Sequence, residues 1–327
     1  MKQESRQNRE KVAAWRESFS HIAGSGCQLN PFMNQTNKQG AVLAISAFVM
    51  WGLAPAYFKL LAHVPSIEIM MYRIVWSSLL LAIIVTASKN WNKIVDLARD
   101  KKAMLTLIAS SSFLAFNWWL FIWAINNGHI LEASLGYYIN PLLNVALGML
   151  FLGERLSKLH YASVALAVVG VMVQVVTFGS FPFVAIGLAT SFSIYGLIRK
   201  TVAIDSISGL TIESLVLLLP GVMYWCFYAS SPESNMVAND LTTNVIIVMA
   251  GVVTTAPLLC FVAASRRLTY STLGFFQYIG PSIMFLMGVL HYGEQVGQDR
   301  WLTFIFIWSA LALFSVASYR TGGVTQS

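Results

Sequence analysis

The sequence predicts an all-α polytopic membrane protein: ten transmembrane helices forming two inverted five-helix repeats around a central cavity. Composition, the placement of charge and an internal repeat carry that expectation. Hydrophobic residues make up 57% of the 327 and charged residues 11%, with a mean hydropathy of +0.65. A soluble domain carries roughly 25% charged residues, so this chain could not cover its own surface in water.

Residues 1–39 form a basic leader holding Lys2, Arg6, Arg9, Lys11, Arg16 and Lys38. It has no apolar core of signal-peptide length, so insertion is expected through the first helix. A surface-lying helix around Val12 to Phe19 and a disordered tail both fit the leader, and Met33 is an alternative start. Ten apolar segments follow, at about 40–61, 66–87, 103–125, 131–152, 159–177, 182–199, 211–229, 243–264, 270–291 and 301–319. Each approaches the roughly 20 residues that a spanning helix needs. They divide into one repeat over 40–177 and a second over 182–319, with a tail at 320–327.

Within the segments, polar and helix-bending residues are the informative ones, because polar groups in lipid need a partner or a wet cavity. The first segment has Trp51-Gly52 and Pro55, then Lys59 near its outer end. In the second, Arg73 lies about two turns inside, after Glu68 at the start. The third holds Asn117 and Trp118; the fourth opens with Glu132 and continues through Tyr137, Tyr138, Asn140 and Pro141. Pro257 interrupts the eighth, and Gln277, Tyr278 and Pro281 the ninth. Proline lacks an N–H and clashes with the preceding turn, so Pro55, Pro141, Pro257 and Pro281 are expected kink sites.

Two readings stand for Trp51, Asn117, Trp118, Tyr137, Tyr138, Asn140, Gln277 and Tyr278: they line a substrate cavity, or they pack and join helices. Two also stand for the charges. Arg73 pairs with Glu132 in an outer gate, or Arg73 alone is buried while Lys59 and the glutamates reach the interface. Glu132 is the acid expected to carry a proton, if one is carried.

Charge outside the segments sets orientation. With the N-terminus cytoplasmic, eighteen Lys and Arg fall on the cytoplasmic side and Arg300 alone on the other. That asymmetry follows the positive-inside rule and predicts that both termini are cytoplasmic. It also accounts for the net charge of +7 without a nucleic-acid partner.

Tyr138-Ile139-Asn140-Pro141, with Gly148 and Gly153-Glu154 following, recurs as Tyr278-Ile279-Gly280-Pro281, with Gly288 and Gly293-Glu294. Thirteen residues separate proline from glutamate in both copies. An odd number of spans per half inverts the second copy, the architecture that gives a transporter two similar gates. A small-molecule transporter working by alternating access is therefore expected; export is the expected direction. A membrane-embedded lipid-modifying enzyme and a channel are the alternatives. The three cysteines have no metal-ligand spacing, and neither HExxH, GxSxG nor a phosphate loop occurs, so no cofactor, metal or catalytic residue is expected.

Three stretches carry a family resemblance: Trp51 to Lys59 (WGLAPAYFK), Leu131 to Pro141 (LEASLGYYINP) and Leu273 to Pro281 (LGFFQYIGP). Over roughly residues 38 to 320 the chain resembles the drug/metabolite transporter superfamily, and within it the RarD proteins of the EamA type. The resemblance implies a ten-helix permease of the bacterial inner membrane acting on a small metabolite or drug-like molecule. It supplies no catalytic residue and no substrate.

Overall fold

A helix occupies every apolar segment. The computed structural model describes residues 33–127, 129–229, 231, 235–291, 293, 297–321 and 325–326. The leader up to residue 32 and Glu294 of the second motif lie outside the described residues. In chain order the elements are α1 (Met33–Lys59), α2 (Ser66–Ala87), α3 (Trp91–Arg99), α4 (Lys101–Asn126), α5 (Ile130–Phe151) and β1 (Glu154–Arg155). Then come α6 (Lys158–Phe178), α7 (Phe183–Thr201), α8 (Ser206–Phe227), α9 (Leu241–Ser265), α10 (Tyr270–Gln277), α11 (Ile279–Leu290), α12 (Gln298–Thr321) and β2 (Thr325–Gln326).

Among the described residues nine helices are long and apolar enough to cross a membrane, with Tyr270–Leu290 counted as one. Helix α5 is not among them, because Asn140, Pro141 and Asn144 dilute its apolar run.

Capping explains where several helices begin. An oxygen of Ser157, Asp205, Asp240 or Thr269 accepts a first-turn N–H of α6, α8, α9 or α10, satisfying a donor that has no partner in the helix. The Asp205 cap starts α8 five residues before the apolar segment read from the sequence. Gly179, at φ +76°, ends α6 in the left-handed conformation that favours glycine.

The charged connection at 88–102 contains a helix that its composition did not suggest. Ile94 and Leu97 lie three apart on one face of α3 and pack with Val85, Leu107 and Ile204. The C-terminal strand β2 pairs antiparallel with β1, which ties the tail to the end of α5.

The two halves interleave. Helix α1 packs on α9 and α11, α2 on α8 and α9, α4 on α7 and α8, α5 on α7 and α10, and α6 on α12. Each long helix of the first half thus finds its main partners in the second, while the short α3 packs on α4 and α8. The copies of the motif also meet directly. A Cβ on Gly274 would lie 2.8 Å from the Pro141 carbonyl oxygen, so only a glycine lets α10 approach α5 this closely. Asn144 Nδ2 donates to Gln277 Oε1 at 2.8 Å, and Tyr278 Oη to the Tyr138 carbonyl at 3.2 Å.

The two copies differ in their response to proline. Helix α5 runs unbroken through Pro141, whereas the second stretch divides at Tyr278, three residues before Pro281. Pro281 has no N–H to offer the carbonyl four residues back, which belongs to Gln277.

Candidate functional site

Seven of the helical stretches enclose a cavity of about 220 Å³. Trp51, Pro55 and Phe58 reach it from α1, Arg73 from α2, and Asn117 and Trp118 from α4. The motif copies supply Gly136, Tyr137 and Asn140 on one side, and Gln277, Gly280 and Pro281 on the other. Phe192 of α7 and Thr254 of α9 close the remaining wall.

Local packing positions these groups. Gly136 lets α5 approach α7, since a Cβ there would sit 3.2 Å from the Ala185 carbonyl oxygen. Asn140 Nδ2 then donates to the Ala189 carbonyl at 3.1 Å, and Asn117 Nδ2 to the Leu188 carbonyl at 2.8 Å and to Ser191 Oγ at 2.9 Å. Both asparagines therefore join helices and line the cavity at once. Trp51 packs against Phe48, Phe192 and Phe261 with ring centroids 5.6–5.8 Å apart, an aromatic floor of offset rings.

Arg73 is the charged group on the cavity wall. Its Nε donates to Thr254 Oγ1 at 2.8 Å. Its guanidinium carbon lies 5.3 Å from the Phe58 ring centroid and 5.0 Å from that of Trp118. Two aromatic faces thus steady the cation.

The structure corrects the Arg73–Glu132 pair. Glu132 Oε1 accepts the Val184 N–H at 2.6 Å near the start of α7, and Oε2 lies 3.2 Å from His129 Nδ1. A carboxylate beside a helix N-terminus meets unpaired N–H groups and the positive end of the dipole, which anchors it away from Arg73. Lys59, at the end of α1, is not on the cavity wall either.

Tyr138 and Tyr278 are also displaced from the cavity. Tyr278 is buried with Phe275, Val145, Ile307 and Phe314. Tyr138 faces a second space of about 340 Å³ that runs past Gln174 and Ser134 to Asp299 and Arg300. This space shares Tyr137, Pro281 and Met284 with the first, so the two adjoin. On the opposite flank Trp118, Thr254 and Leu258 border a gap of only about 20 Å³ that ends at Glu213. Pro55 and Pro281 line the central cavity, while Pro141 and Pro257 lie behind it.

Reading the sequence missed a buried ion pair. Arg199, at the end of the sixth apolar segment and counted with the cytoplasmic-side charges, is fully buried with its Nε 3.6 Å from Glu213 Oε1. Ser110 Oγ donates to the same carboxylate oxygen at 2.6 Å. Glu213 stands in the apolar run Leu210 to Leu219, a signal available in the sequence. Phe58, Phe192 and Thr254 gave no such signal, because a phenylalanine or threonine in a spanning helix needs no special partner.

A profile of the EamA-like transporter family matches residues 38–176. The chain is similar to an uncharacterized transporter of Vibrio cholerae, 52% identical over 88% of this chain and 95% of that one. It is also similar to the protein RarD of Escherichia coli K12, at 48% over 87% and 96%. A solved crystal structure superposes with a TM-score of 0.66 at 17% identity, covering 85% of this chain and 97% of the other. At that identity the likeness shows the fold alone.

Proposed function

The chain belongs to the EamA-like transporter family, as a membrane transporter of the RarD type, and on that premise we propose that it exports a small metabolite or drug-like molecule by alternating access. It crosses the bacterial inner membrane ten times, α5 included, with both termini in the cytoplasm. Its halves are inverted repeats whose motif copies form the two walls of the central cavity.

The observation that carries this reading is the cavity where Gly136 to Asn140 faces Gln277 to Pro281. It continues into about 340 Å³ on the Arg300 side and about 20 Å³ on the Glu213 side. Under the orientation read from the loop charges, Arg300 is on the outer face. That asymmetry fits one state of a rocking cycle, open outward and closed inward. Among the described residues the lining contains no Asp, Glu, His or Cys, so these residues offer no acid–base pair and suit passage better than chemistry.

Single cysteines test it. With Cys27, Cys226 and Cys260 replaced, Ala54→Cys and Met284→Cys are exposed to a membrane-impermeant thiol reagent in right-side-out and inverted vesicles. Alternating access predicts modification from either face without passage of the reagent to the far side. Modification from one face only ends the rocking reading, and leakage of the reagent through the protein establishes a channel.

A further inference from the structure

We infer that the central cavity takes an anionic substrate, a carboxylate or an equivalent oxyanion on a flat apolar body, with Arg73 as its anchor. This rests on the transport reading and names the substrate class of the same cavity. The argument begins from charge balance. A guanidinium stays protonated in proteins, and a cation among apolar helices is costly unless a negative group compensates it.

Among the described residues Arg73 has no such group. Among the described residues the buried carboxylates are Glu68, Glu132, Glu154 and Glu213. Glu68 accepts the N–H and hydroxyl of Ser231. Glu132 holds the start of α7, as described above. Glu154 takes the N–H groups of Tyr270 and Ser271 at the start of α10. Glu213 neutralises Arg199. All four are committed away from the cavity, and no acid among the described residues lines it.

The guanidinium is also presented as a receptor would present it. Thr254 engages only Nε, and among the described residues neither terminal nitrogen has a hydrogen-bond partner. Those two N–H-bearing nitrogens form the fork that accepts a carboxylate side-on. Trp118 and Phe58 fix the plane of the fork, and Trp51, Phe192 and Tyr137 offer ring faces beyond it. The amides of Asn117 and Gln277 add neutral hydrogen-bonding groups. With no acid to receive an ammonium, cations are rejected and zwitterions are held less well than anions.

The test uses three probes with one body and different charge: phenylacetate, phenylacetamide and phenethylammonium. Binding to the purified full-length protein in detergent is measured by calorimetry. The acid is expected to bind about tenfold or more tightly than the amide, and the ammonium not at all. In Arg73→Gln the advantage of the acid over the amide disappears; in Arg73→Lys part of the advantage survives. Equal binding of acid and amide, an acid preference that survives Arg73→Gln, or no binding of the acid by folded protein would each overturn the inference. None of these outcomes alters cysteine labelling from the two faces, so the transport reading stands or falls separately.

Discussion

Arg73 and Arg199 are both cations enclosed by apolar helices, and the protein treats them in opposite ways. Arg199 is fully buried, faces Glu213 and rests against Gly209 so closely that a Cβ there would lie 2.1 Å from Nη1. Arg73 has aromatic rings and one hydroxyl around it but, among the described residues, no carboxylate. The first arrangement is closed in charge and in space, although Nε and Nη1 of Arg199 and Oε2 of Glu213 have no hydrogen-bond partner among the described residues. The second leaves a charge and two donors open on a cavity. Paired burial holds helices together, whereas unpaired charge at a cavity calls for a ligand.

The comparison breaks most readily at Glu213. Glu213→Ala leaves Arg199 buried without its counter-charge, a loss of roughly 3–5 kcal/mol. Little folded, monodisperse protein should be recovered, and the double variant Arg199→Met/Glu213→Leu should restore much of the loss. A single variant as stable to heat as the parent would show that the pair does not hold α7 to α8.

Gly209→Ala asks how closed the Arg199 site is. The guanidinium has no solvent to retreat into, so the added methyl should cost about 1–3 kcal/mol, read as a lower unfolding temperature. An unchanged temperature would mean that the guanidinium has room to move.

Asp205 lies at the margin of the same cluster, its carbonyl 3.4 Å from Arg199 Nη2 and its side chain capping α8. Burial works to raise its carboxyl, but the N–H and hydroxyl of Ser208, with Lys93, hold it below the usual range. The cap therefore contributes fully above the unfolded value of about 3.9 and is lost as pH falls through the lower folded value. Asp205→Ala should cost about 1 kcal/mol near neutral pH, and the gap from the parent should close in acid. A gap independent of pH would assign the effect to packing.

The smallest effect on stability belongs to Arg73→Gln. The bond to Thr254 and the contacts with the Phe58 and Trp118 rings are lost, but the cost of burying an uncompensated charge goes with them, so the net change should stay within about 1 kcal/mol. A loss as large as that at Glu213 would mean that Arg73 is structural after all, and the contrast between the two arginines would collapse.

Much of the architecture was legible because it depends on local averages. A run of apolar residues near bilayer length forms a helix wherever it falls in the chain, and Asp, Ser or Thr ahead of it marks the first turn. The internal repeat pointed to a true neighbourhood, since Gly274 rests on Pro141 and Gln277 meets Asn144. Trp51, Asn117, Trp118, Tyr137, Asn140 and Gln277 all reached the cavity, and Arg73 with them. The rest was hidden for identifiable reasons. Tyr138 and Tyr278 neighbour cavity residues in sequence, but one helical step of about 100° carries each to another face. Glu132 and Arg73 have complementary charge and a similar depth, yet an N–H of α7 captured the carboxylate first.

The sequence by itself determined that this protein is helical and membrane-embedded, that a short motif recurs in its second half, and that a few polar groups must find partners away from lipid. The tertiary structure decided which partners they found. Arg199 meets Glu213, Glu154 meets the start of α10, and Arg73 is left facing a cavity. The physical reason is distance along the chain: helix formation and insertion are settled within about 20 residues, while the group that neutralises a buried charge arrives from a helix elsewhere in the sequence, brought there by packing.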